Sequence, residues 1–181
     1  MINVKLQLTG KVVVPDPMFA ITKYTVLFDR VFLKTWMGSI IGIDPGQVNM
    51  GMAVMGPNGA DLYQIGLTSE TDPAQRMMNV VTVVDRLFPG DGAVAGACIE
   101  YAAHNKFHGQ VPLAEARSAA GMALMTKGIV PLYPPPASIR KEVFGKGTIK
   151  AEEVWTNLAD KKHNDFLAAL SCALYFYEKG L

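Results

Sequence analysis

"SIIGIDPGQVNMGMAVMG", residues 39–56, consists of two short apolar runs joined by a turn, and the first run ends on a carboxylate, Asp44, followed at once by Pro45 and Gly46. The runs read as adjacent strands and the Pro-Gly pair as the break between them. A charge at the rim of an apolar core costs free energy unless something offsets it. The placement suggests a metal ion as that partner.

The pattern continues in both directions from this pair. Downstream come a "PNGA" turn, a third strand "DLYQIGLT" and a helix over 73–88, where Met77, Val80, Val81, Val84, Leu87 and Phe88 recur near the spacing of a core-facing stripe. A "FPGDG" break precedes a buried strand, "AVAGACIEY", which carries Glu100 near its end. A polar loop, "AAHNKFHGQ", leads to a helix over 112–127, a strand "IVPLYP", short helices over 137–143 and 149–159, and a last helix over 163–178. Strands followed by alternating helices and strands indicate an α/β fold with a mixed sheet. Upstream, β-rich runs at 4–8, 12–14 and 24–31 are separated by Gly10 and by Pro15 and Pro17. They read as a β-rich appendage over 1–38, with the main domain over 39–181.

A chain of 181 residues that is 50% hydrophobic can bury a core as one domain with an appendage. Its net charge of +1 leaves the partner open, because a neutral total can hide a basic face. Between residues 101 and 150 the charge is lopsided: Lys106, Arg117, Lys127, Arg140, Lys141, Lys146 and Lys150 stand against Glu115 and Glu142. Cys98 and Cys172 lie in apolar stretches without metal-site spacing, as buried thiols of a reducing compartment do. The first residues lack an apolar signal core, and "DFLAALSCALYFYE" is too short to span a bilayer, so the expectation is a cytoplasmic protein without a membrane partner.

Asp44, Glu100 and Asp165 are each an acid at the edge of an otherwise apolar element. Strand ends and a helix start can bring such side chains together from distant parts of a chain. Clustered carboxylates repel and persist when cations neutralise them, and Mg²⁺ suits hard oxygen ligands. Taken separately, Asp44 also reads as a turn former, Glu100 as a solvated strand end, and Asp165 as a favourable charge at a helix N-terminus.

Four segments in order, "IIGIDPGQVNMGMAV", "GACIEYAAHNKFHGQVPLAEARSAAGMAL", "PPPASIRKEVFGKGTIKAEEV" and "KHNDFLAALSCAL", resemble the RuvC-type Holliday-junction resolvases of the RNase H-like superfamily. The resemblance spans about residues 39–178. It implies an RNase H-like mixed five-stranded sheet flanked by helices, a homodimer, and Mg²⁺-dependent cutting of paired strands at four-way DNA junctions, with Mn²⁺ as a substitute metal. It also assigns Asp44, Glu100 and Asp165 to the metal. Two ions roughly 4 Å apart would then activate a water and stabilise the leaving 3′ oxygen. The sequence departs from the family where another acid or a His is usual, three residues before Asp165: here stands Lys162, followed by His163. An ammonium cannot coordinate metal. Lys162 is either a contact to the scissile phosphate or a solvated lysine, and His163 is the alternative ligand.

In the loop after Glu100, Lys106 suits a phosphate, while Phe107 either stacks on an unpaired base at the branch point or folds back on its own domain. His104 and His108 flank them. Arg140, Lys141, Lys146 and Lys150 surround a Gly-containing turn and offer an electrostatic seat for phosphates, or else a solvated face. Arg117 is either in a helix-surface salt bridge or at a phosphate. The small residues around it, Ala116, Ala119, Ala120, Gly121 and Ala123, allow close packing against the sheet or across a dimer seam. Two rival readings are an RNase H-like nuclease acting on RNA or on other branched DNA, and a non-catalytic junction-binding protein.

Overall fold

In the computed structural model, which describes residues 2, 4–30, 32, 38–46, 48–67, 72–89, 93–101, 110–159 and 164–180, the two apolar runs around Asp44 are neighbouring strands of one sheet. The strands in chain order are β1 (Leu6–Val14), β2 (Ala20–Phe28), β3 (Ser39–Asp44), β4 (Asn49–Met55), β5 (Gly59–Gly66) and β6 (Val94–Ile99). The helices are α1 (Pro73–Leu87), α2 (Gln110–Met125), α3 (Pro136–Phe144), α4 (Ala151–Val154) and α5 (Asp165–Lys179). Across the sheet the order is β1-β2-β5-β4-β3-β6. All pairs are antiparallel except β3 with β6, so the sheet is mixed, as the sequence suggests.

Period-two alternation assigns each strand two faces. On one face Tyr24, Val26, Ile40, Ala53, Met55, Leu62 and Cys98 form a core with α3, α4 and α5. On the other, Ile21, Ile41, Ile43, Met52, Ile65, Ala97 and Ile99 pack with α1 and α2. The sheet is therefore a middle layer between two layers of helix. The small residues Ala116, Ala119, Ala120 and Ala123 of α2 are buried in this second core.

The strand count differs from the expectation of five. The run "IVPLYP" forms only a bridge between Leu132 and Cys98. Leu132 donates to the Ala97 carbonyl and its own carbonyl accepts from Ile99, while the Pro134 carbonyl accepts from Tyr101. Pro134 cannot return a hydrogen bond, and Pro131 likewise has no N–H, so the ladder stops.

Six strands result because residues 6–28, set apart as an appendage in the sequence, form a hairpin that extends the same sheet. β2 pairs with β5 from Ala20↔Gly66 to Leu27↔Gly59. Gly10, which reads as a break, instead stays in the strand, just past a register shift between Leu8 and Gly10. The hairpin is also tied to the helices. Its turn is held by an Arg86–Asp16 ion pair at 2.6 Å. At its start, Trp155 Nε1 donates to the Val4 carbonyl at 3.1 Å and Asn157 Nδ2 to the Leu6 carbonyl at 2.9 Å. The helix expected over 149–159 is accordingly short, because the chain leaves α4 at Trp155 to make these two bonds.

Candidate active site

Three glycines bring α5 onto the sheet. A Cβ at Gly42 of β3 would collide with the Ala169 carbonyl, one at Gly51 of β4 with the Asp165 carbonyl, and one at Gly96 of β6 with the Phe176 ring. Only residues without a side chain let the helix backbone lie this close. Its first residue, Asp165, is thereby carried to the end of the sheet where β3 finishes at Asp44. Beside it, the Glu100 N–H donates to the Ile43 carbonyl at 3.0 Å, which extends the parallel pairing by one residue and sets Glu100 next to Asp44.

Asp44, Glu100 and Asp165 line one cleft of about 300 Å³. They interact electrically. Burial pushes the Asp44 carboxyl well above the usual carboxylate range, the negative charges of Glu100 and then Asp165 push it further, and Arg140 opposes them. Asp44 keeps part of its surface open to the cleft, so water reaches it there. Burial likewise raises Glu100, and Arg140 again opposes. The Asp165 carboxylate accepts a 2.7 Å hydrogen bond from Gln64 Nε2.

The cleft also carries basic residues. Arg140 of α3 and Lys150, the residue before α4, line the cleft together with Glu152. Lys141 and Lys146 are exposed on the same segment and do not line it. Arg117 is half-buried on α2 and sits 4.2 Å from the ring centre of Tyr101. The helix salt bridge considered for it belongs to its neighbour: Glu115 pairs with Arg76 of α1 at 2.7 Å. Lys106, Phe107, His104, His108, Lys162 and His163 lie outside the described residues.

Gln64 and Glu152 do not stand out in the sequence as site residues. Gln64 reads as an ordinary polar position in a strand, and the only signal that distinguishes it is its face: it shares that of Leu62, which points at α5. Among the described residues, no group of three or more His, Cys, Asp and Glu side chains is placed to hold a metal ion.

Neither a family model nor a curated protein matches the chain. Solved structures do. One of Thermus thermophilus RuvC superposes with a TM-score of 0.56 at 22% identity, over 78% of this chain and 96% of that one. Another, T. thermophilus RuvC in complex with Holliday junction substrate, superposes with a TM-score of 0.54 at 20% identity, over 78% and 95%. A mixed sheet between two helical layers, with acids gathered at one end of it, is thus in this chain a RuvC-type, RNase H-like fold.

Proposed function

We propose that the chain is a metal-dependent, structure-selective DNA endonuclease that resolves four-way junctions by paired phosphodiester hydrolysis, acting as a homodimer in the cytoplasm of a bacterial or phage-infected cell. The observation that carries this reading is the convergence of Asp44, Glu100 and Asp165 on one cleft that Arg140 and Lys150 also line. The likeness to RuvC, one structure of which contains a Holliday junction substrate, supports branched DNA as the partner. Residues 39–181 carry the nuclease, and residues 1–38 support it.

The donor chemistry of the cleft fits Mg²⁺, or Mn²⁺ in its place. Asp44 and Glu100 are hard oxygen donors whose charges the metal-free fold disfavours, so a cation relieves the conflict. Mg²⁺ commonly takes one or two carboxylates and fills its remaining positions with water and substrate phosphate, so a site of three protein ligands is not required. When bound, it would supply Lewis acidity toward the phosphate and a more acidic water. Around it, Arg140 and Lys150 hold the scissile strand by its phosphates, Lys141 and Lys146 extend the seat along the exposed surface, and Lys106 and Phe107 engage the branch point. Lys162 or His163, just ahead of Asp165, completes the site. Arg117 stays near the strand through Tyr101.

A second copy is assigned to the outer face of α2. Val111, Met122 and Met125 are 66%, 57% and 57% exposed, and Val130 beyond the helix is 76% exposed. Exposed apolar side chains of this kind are what a partner covers.

A second reading, a junction-binding protein that does not cut, rests on Lys162, which stands three residues before Asp165 and cannot coordinate metal. Asp44→Asn and Glu100→Gln separate the two. Under the nuclease reading, both variants bind a four-way junction and fail to cut it in Mg²⁺; cutting at the unsubstituted rate removes the proposed roles of these acids.

A further inference from the structure

Gln64 stands two residues before the end of β5 and is 8% exposed, yet only half of its amide is satisfied. Nε2 donates to Asp165, while Oε1 is buried with no hydrogen-bond partner among the described residues. A buried amide oxygen left unpaired costs stability, so such a residue is retained at a cost to the fold. Its backbone is flanked by Gly51 of β4 on one side and Thr22 of β2 on the other. β5 is an internal strand because the N-terminal hairpin pairs with it; without β1 and β2 it would be the edge, and the flank of Gln64 beside Thr22 would lose its cover. The hairpin touches the same helix start directly, where Tyr24 of β2 stacks on Phe166 with ring centres 4.4 Å apart and planes 10° from parallel. Phe166 is the residue next to Asp165.

Resting on the nuclease reading above, we propose that Gln64 is a positioning residue for the Asp165 carboxylate, and that the β1–β2 hairpin holds it to that task by excluding water from Gln64 and by clamping Phe166 through Tyr24. The amide engages Oδ2 of Asp165 and fixes the carboxylate's rotation, leaving Oδ1 for a cation. Hydrogen bonds of this kind orient a metal-binding side chain before the metal arrives. The hairpin is thereby part of the site's support although none of its residues lines the cleft.

The test is calorimetric titration of Mn²⁺ into the metal-free full chain, paired with thermal melting. Gln64→Met keeps the length of the side chain and removes its amide. Its Mn²⁺ dissociation constant should rise about tenfold or more, while the metal-free melting temperature does not fall, because the unpaired oxygen is removed with the donor. Tyr24→Leu should weaken Mn²⁺ binding in the same direction with Gln64 intact, and Tyr24→Phe, which keeps the stack, should restore it. This second pair decides the matter if Gln64→Met does not fold. Unchanged Mn²⁺ affinity in Gln64→Met and Tyr24→Leu, with a wild-type chain that binds Mn²⁺ and cuts, overturns the positioning role alone. A wild-type chain that neither binds Mn²⁺ nor cuts a junction overturns the nuclease reading together with it.

Discussion

Gly51 lies directly beneath Asp165: a Cβ on residue 51 would collide with the Asp165 carbonyl group and press on the N–H of Phe166. This contact places the first turn of α5 at the end of the sheet and with it the third carboxylate of the cleft. Gly51→Ala should therefore push the helix start away, costing about 1–3 kcal/mol in urea unfolding through overpacking and reducing junction cutting. Gly56→Ala is the matched control, since the nearest atom to its new Cβ is 3.9 Å away, and should stay within about 0.5 kcal/mol of wild type.

The buried acids make the metal-free protein sensitive to pH. Burial, then the Glu100 and Asp165 charges, raise the Asp44 carboxyl above its ordinary value of 3.8, and burial raises Glu100 above 4.5. The folded state thus binds these protons more tightly than the unfolded state. That contribution is fully present below the ordinary values and is lost as pH rises through the raised ones. In chelator, wild-type melting temperature should fall relative to Asp44→Asn as pH moves from the acid range to neutrality. The two curves should converge in acid. Mg²⁺ at neutral pH should recover the loss in wild type and have little effect on the variant.

Arg140 and Lys150 face the cleft, whereas Lys141 and Lys146 are exposed outside it. Lys150→Ala should weaken junction binding and reduce the slope of log affinity against log salt by about one, the signature of one lost phosphate contact. Arg140→Ala should do the same and also slow cutting, because its positive charge is the one that opposes the rise of both Asp44 and Glu100. An unchanged salt slope in both variants would show that the phosphates lie elsewhere.

Trp155 joins the start of the hairpin to α3 through its bond to the Val4 carbonyl and its ring, which meets Phe144 edge to face with centres 5.2 Å apart. Trp155→Phe retains an aromatic ring there and strands the Val4 carbonyl. Chemical denaturation should show a loss of about 1–3 kcal/mol, the cost of an unsatisfied buried group. A variant as stable as wild type would show that water or a neighbour replaces the indole.

The sequence and the structure agree most closely where a single face decides the outcome. The apolar runs around Asp44, the stripe of the helix after residue 72 and the run that delivers Glu100 reappear as β3, β4, α1 and β6, because burial on one or both faces dictates their period. What the sequence did not show depends on contacts between distant segments. The hairpin strands were broken up by Gly10 and displaced by the prolines, and nothing local says that β2 pairs with β5 across residues 29–58. The role of Gln64 depends on that pairing, so it was invisible as well. Glycines 42, 51 and 96 read as ordinary small residues until α5 is laid across them. The fifth expected strand failed for a reason that was present in the sequence: its prolines lack the donors that a ladder needs.

The most direct test of the account is cleavage of an end-labelled four-way junction in Mg²⁺, beside flap, linear duplex and RNA:DNA hybrid substrates, with every cut site mapped. The account predicts symmetric paired nicks confined to the junction and abolished by Asp44→Asn. Tight junction binding with no cuts in either Mg²⁺ or Mn²⁺, or preferential cutting of the hybrid, would contradict it.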